Sequence, residues 1–160
     1  MSNNNARPPI TENGTLQTWL PYPNYAESAH VLDNKRLSKQ RTNVLEILDV
    51  LHEVNQQSKY YEHPVIEMWR GYEPQLCEYG LVVCEEYRSR GRLEKCGSRI
   101  SWHLDCATSG EFTMDKPPWF GHPGIHVSHR SALLRKDPDY YWRFFSGIPD
   151  DLPMIWPTAS

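Results

Sequence analysis

The densest run of charged side chains in the 160-residue sequence is Lys35-Arg36-Leu37-Ser38-Lys39-Gln40-Arg41, which contains no acid. On a helix, Lys35 and Lys39 stand one turn apart on one face and can grip successive phosphates, with Arg36, Gln40 and Arg41 beside them. Two further groups follow: Arg88, Arg90, Arg92, Lys95 and Arg99, then Arg130, Arg135 and Lys136. Any one such run is also what a solvated protein face looks like. Three of them, two beside Trp/Tyr clusters, raise the case for a nucleic-acid contact.

His126 and His129 are three residues apart with Arg130 following, so on a helix start they share a face. With His63 they have the chemistry of a metal site or of an acid–base pair; the plainer reading is helix capping. Cys96, His103 and Cys106 form a second ligand set, but their spacing matches no standard zinc pattern. No metal and no cofactor is expected. Cys77 and Cys84 read as small buried hydrophobes. Between Glu67 and Glu73 the sequence packs carboxylates, Arg70, Trp69 and Tyr72 into one and a half turns. An Arg–Glu pair beside rings suits holding a planar group; the plainer reading is a helix end packed by Trp69. His63, Trp69, Arg70 and Trp119 join the candidate nucleic-acid contacts.

These side chains must be carried mostly by helices. Leu16 to Pro23 reads as a short extended segment, because Pro21 and Pro23 oppose helix at the residues before them. Asn24, with Glu27 three residues on, opens a helix that can run to about Val54 without Gly or Pro. On it Leu37, Val44, Ile47, Leu48 and Leu51 cluster on one face. Asp33, Gln40 and Arg41 fall on the same inward stripe. Buried polar groups need partners, so a site is expected at that polar end.

His63-Pro64 opens a short piece over 65–72, and Pro74 starts another that runs to about Arg90 and stops at Gly91. The stretch from Arg92 to Gly124 reads as irregular. Ser128 to Lys136 is a third helix, Asp137-Pro138 opens a fourth, and the tail from Pro149 to Pro157 is extended. The expected fold is mainly α: a single compact domain over 16–160 of three to four helices with long Pro- and aromatic-rich loops. A flexible, Asn-rich arm over 1–15 precedes it.

Lys+Arg 17 against Asp+Glu 20 gives a net charge of -3, which excludes a wholly basic nucleic-acid coat but not a local basic patch. No apolar run is long enough to span a bilayer. Four cysteines and no apolar start point to reduced thiols in a cytoplasmic protein, with a monomer as the default state.

The stretches LPYPNYAESAHVLDNKRLSKQR, HPVIEMWRGYE, PPWFGHPGIHVSHRSALLRKDPDYY and DDLPMIWP resemble bacterial and phage proteins grouped with the pyrimidine-dimer DNA glycosylases, the endonuclease V-like family. The resemblance implies a helical domain that binds duplex DNA, kinks it and flips a nucleotide out of the stack. It also implies cleavage of the glycosidic bond by an amine that forms a Schiff base, followed by strand cleavage at the abasic site. In the family the amine is the chain's own N-terminus at the start of the fold; here about fifteen residues precede that point. The family's first-helix Glu falls at Asn43, which cannot act as a base.

Asp33 is therefore the expected carboxylate, and Lys35 or Lys39 the expected amine. His126, His129 and Arg130 would bind phosphate or protonate a leaving group, and Arg135 and Lys136 would contact DNA. Two other readings compete: a DNA-binding member without catalysis, and a small-molecule or nucleotide enzyme built on the His/Arg/Trp residues. If Asp33, Arg41, His63, His126 and Arg130 converge on one cleft, a site exists there; if they scatter, the reading built on them fails.

Overall fold

The computed structural model describes residues 16–52, 62–110 and 112–157. The expected arm over 1–15 and the expected end of the first helix beyond His52 lie outside them. The mainly α class holds, and no strand occurs among the described residues, which divide into seven helices.

The division begins in the expected long helix. Asn24 does cap α1 (Tyr25–Val31), its side chain accepting the Glu27 N–H at 2.8 Å. The helix then breaks at Leu32, and Asp33 caps a new one, α2 (Asn34–Leu51), through its contact with the Arg36 N–H. A distant residue fixes the break. The Tyr141 hydroxyl accepts the Asp33 N–H at 3.0 Å and donates to the Asp33 carboxylate, so that N–H is lost to any continuous helix. Asp33 is thus a helix cap rather than one step on an inward stripe.

After α3 (Pro64–Trp69) comes α4 (Glu73–Ser89), which ends where Gly91 takes φ 80. The stretch expected to be irregular holds a helix, α5 (Gly97–Thr108). Its start is not marked by an ordinary cap residue. The Glu94 carboxylate instead accepts the N–H groups of Cys96 and Gly97. α6 (Pro123–Lys136) begins five residues before Ser128, because Pro123 serves at the first helical turn and His122 accepts the Gly124 N–H. Asp137 caps α7 (Pro138–Phe145).

α2, α4 and α5 pack against one another around the buried Leu37, Val44, Ile47, Leu76, Val83 and Ile100. Gly80 sits where the three meet. A Cβ there would lie 2.7 Å from Val44 Cγ1 and 3.2 Å from Ile100 Cδ1, so the close approach depends on its absence.

The extended segment 16–21 runs into this core, with Leu16, Trp19 and Leu20 buried. Its backbone groups have no strand to pair with, and buried N–H and C=O groups need partners. Side chains supply them. The Gln40 amide donates to Gln17 O and accepts the Trp19 N–H at 2.6 Å, and the Tyr79 hydroxyl donates to Trp19 O. From α6, His126 Nδ1 donates to Leu20 O at 2.8 Å, His129 Nδ1 accepts the Leu20 N–H at 2.9 Å, and Arg130 donates to Pro21 O.

Candidate nucleic-acid interface

A cleft of about 680 Å³ lies between the first two turns of α2 and the end of α6. Lys35, Arg36 and Lys39 form one wall, Ala132, Arg135 and Lys136 the other, and Met154 and Trp156 of the C-terminal tail complete the lining. Five of its eight lining residues are cations and none is an acid. Such a concavity concentrates positive field and attracts phosphate.

The cations are held differently. Lys35 and Lys39 are exposed and form no ion pair among the described residues. Arg36 pairs with Asp33 at 3.2 Å, tying the wall of the cleft to the α2 cap and to Tyr141. Burial and the hydrogen bond to Asp33 raise the Tyr141 pKa far above its ordinary value, so this phenol stays protonated. Arg135 donates to the carbonyl of Asp150 at 2.7 Å, pinning the tail, and the Lys136 ammonium stands 6.0 Å from the Trp19 ring centre.

The tail is further fixed by Ser131, which accepts the Leu152 N–H, and by Ser128, which accepts the Ile155 N–H. Being extended, it presents alternate residues to opposite sides. Met154 and Trp156 face the cationic cleft, while Ile155 and Pro157 line a second pocket of about 380 Å³ with Met68, Arg70, Trp119 and His122.

The five residues expected to converge do not. Asp33 stands at the α2 cap. Arg41 points to the other side of α2, where it pairs with the buried Glu94 at 3.3 Å, donates to Ser38 and lies 4.0 Å over the Tyr87 ring. His63 is buried, caps α3 by accepting the Val65 N–H, and meets Trp156 edge-on at 5.6 Å. His126 and Arg130 hold the 20–21 backbone. The sequence pattern groups these residues by type, whereas separate buried partners disperse them: Tyr141 for Asp33, Glu94 for Arg41, the start of α3 for His63, and the extended segment for His126 and Arg130.

His126 is a neutral imidazole by its bonding: Nδ1 donates to Leu20 O and Nε2 accepts the Gly121 N–H. Burial lowers its pKa and pushes that of His129 down to about 3. Gln40 is likewise committed to segment 16–21. Trp69 is fully buried, its indole N–H donating to Thr18, and Trp119 is nearly so, donating to Met68 O. Arg70 pairs with Glu67 at the mouth of the smaller pocket.

His103 uses both ring nitrogens, Nε2 on Asp49 and Nδ1 on His52, so it has none to share with Cys96 and Cys106. No group of three or more metal-binding side chains occurs among the described residues.

Of the residues expected from the sequence to serve a site, Lys35, Arg36, Lys39, Arg135 and Lys136 do meet in one place. Sequence reading missed Met154, Trp156 and Ala132. The tail was legible as extended, and its alternation of Met154 and Trp156 with Ile155 and Pro157 was the available signal.

No helix among the described residues is long and apolar enough to cross a membrane. A family model described as pyrimidine dimer DNA glycosylase matches residues 16–99, which include α1 to α4 and one wall of the cleft. Comparison with curated proteins and with solved structures finds no match. By its match over more than half its length, and with a cationic cleft walled by the matched α2, the chain belongs to the pyrimidine dimer DNA glycosylase family.

Proposed function

We propose that the cleft between α2 and α6 binds the phosphates of duplex DNA and that the protein acts on a nucleotide flipped into it. The observation that carries this reading is the convergence of Lys35, Arg36, Lys39, Arg135 and Lys136 on one acid-free concavity beside Trp156. Phosphate neutralisation is the main source of affinity in such contacts. A net charge of -3 does not oppose it, because no acid lines the cleft.

For chemistry, the unpaired ammonium groups in the cleft, Lys35 and Lys39, are the candidate nucleophiles. A lysine amine, once deprotonated, attacks the sugar C1′ and the C1′–N bond breaks, the base leaving with a proton. Loss of the ring oxygen from C1′ gives the imine, and β-elimination then cleaves the C3′–O bond. Asp33 is the carboxylate tied to the cleft, through Arg36. His126 and His129 belong to the clasp on segment 16–21 and are left out of the chemistry. A second reading, DNA binding without cleavage, is favoured by the buried Asn43 on α2, which carries no base.

Borohydride trapping on an abasic-site duplex tests the chemistry: wild type gives a covalent adduct and the Lys35→Ala/Lys39→Ala variant does not. Salt-dependent binding without any adduct leaves the second reading. Binding insensitive to salt overturns both.

A further inference from the structure

The second basic run, read as one group in the sequence, is divided by the fold. Arg88, Arg90 and Arg99 pair with Glu85 and Glu94, with Glu86, and with Asp49. Arg92 and Lys95 are exposed and form no ion pair among the described residues.

These two lie in the loop between α4 and α5, which Glu94 fastens to α2 through Arg41. The Arg92 guanidinium stands 6.0 Å from the Tyr87 ring centre, and Arg41 covers the same ring at 4.0 Å. The Ser38 hydroxyl, followed by the charges of Arg41 and Arg92, holds the Tyr87 pKa below its ordinary value. Ser38, Tyr87 and Arg92 thus gather hydrogen-bond donors and positive charge at one spot.

The spot has a definite relation to the cleft. Lys35, Arg36 and Lys39 occupy one edge of α2, and Ser38 and Arg41 the opposite edge, so the ridge of α2 separates the two cationic places. A helix with its side chains is about 10–12 Å across, and a DNA groove sets two rows of phosphates about 6–12 Å apart. We propose that Ser38, Tyr87, Arg92 and Lys95 form a second phosphate-binding site, and that a duplex lies astride α2 with one strand on the cleft and the other on this site. This rests on the DNA-binding reading of the cleft and adds a partner strand and its residues to it.

The test is fluorescence anisotropy with a duplex carrying a stable abasic analogue, read as the slope of log K against log salt. Each phosphate contact contributes about 0.9 to that slope. Arg92→Ala/Lys95→Ala should lower its magnitude by about one to two. Arg92→Lys, in a wild-type background, should leave it unchanged, which a merely structural role in seating Tyr87 would not predict. Urea unfolding of each variant separates loss of fold from loss of contact. An unchanged slope in Arg92→Ala/Lys95→Ala, with a reduced one in Lys35→Ala/Lys39→Ala, overturns the second site and leaves the cleft standing. A wild-type protein with no salt-dependent binding overturns both.

Discussion

Replacing His129 with Asn tests the account of why α6 and segment 16–21 hold together. His129 is fully buried, its Nδ1 accepts the Leu20 N–H, and its pKa is pushed down to about 3, first by burial and then by the nearby His126. In the unfolded chain an imidazole titrates at about 6.5. The unfolded state therefore takes up a proton that the folded state refuses. The corresponding stability is complete above that value and is lost as pH falls toward 3. At pH 5, protonation of this one unfolded-state ring removes about 2 kcal/mol.

The Asn amide oxygen can take the place of Nδ1 as acceptor, yet it does not titrate. Urea unfolding at pH 7.5 and pH 5.0 is the assay. His129→Asn should be less stable at pH 7.5 by about 1–3 kcal/mol, for the packing lost with the ring. Its further loss on going to pH 5.0 should be smaller than wild type's by about 2 kcal/mol. The other buried histidines contribute equally to both proteins and cancel. Equal losses in the two proteins would refute a neutral, buried His129.

Three other substitutions probe the framework. Gly80→Ala forces a methyl against Val44 and Ile100 and should cost about 1–3 kcal/mol, seen as a lower melting temperature with helical content intact. Gln40→Ala strips partners from Gln17 O and the Trp19 N–H and should cost about 2–4 kcal/mol, with the Trp19 amide among those whose hydrogen exchange accelerates most. Arg41→Met leaves the buried Glu94 carboxylate with the half-exposed Arg88 and the N–H groups of Cys96 and Gly97, and should cost about 1–3 kcal/mol.

Local signals carried the reading of the start of α1, the end of α4 and the start of α7, because Asn24, Gly91 and Asp137-Pro138 act on their own neighbours. The break at Asp33 was hidden, since it depends on Tyr141, 108 residues away. α5 was hidden for a related reason: its cap is Glu94 acting from the preceding loop, and its inward positions include His103 instead of a plain apolar stripe. The cleft was half legible. Lys35, Arg36 and Lys39 announced themselves by composition, and so did Arg135 and Lys136, but nothing in the spacing says that these two runs face each other. Conversely, His126, His129 and Arg130 have the residue types of a catalytic site. Their buried acceptors and donors, the backbone of residues 20 and 21, are visible only in the fold.

The clasp on segment 16–21 also has a consequence for synthesis. Leu20 and His129 are separated by 109 residues, and Pro21 and Arg130 by the same number. At roughly 5–20 residues per second, Leu20 and Pro21 leave the ribosome about 5–20 s before the side chains that satisfy their backbone exist, whereas Gln40 and Tyr79 reach Gln17 and Trp19 sooner. Over that interval the backbone groups of Leu20 and Pro21 lack their α6 partners. Seating this segment belongs among the last folding events, a slow closing step in a helical protein whose other contacts are mostly local.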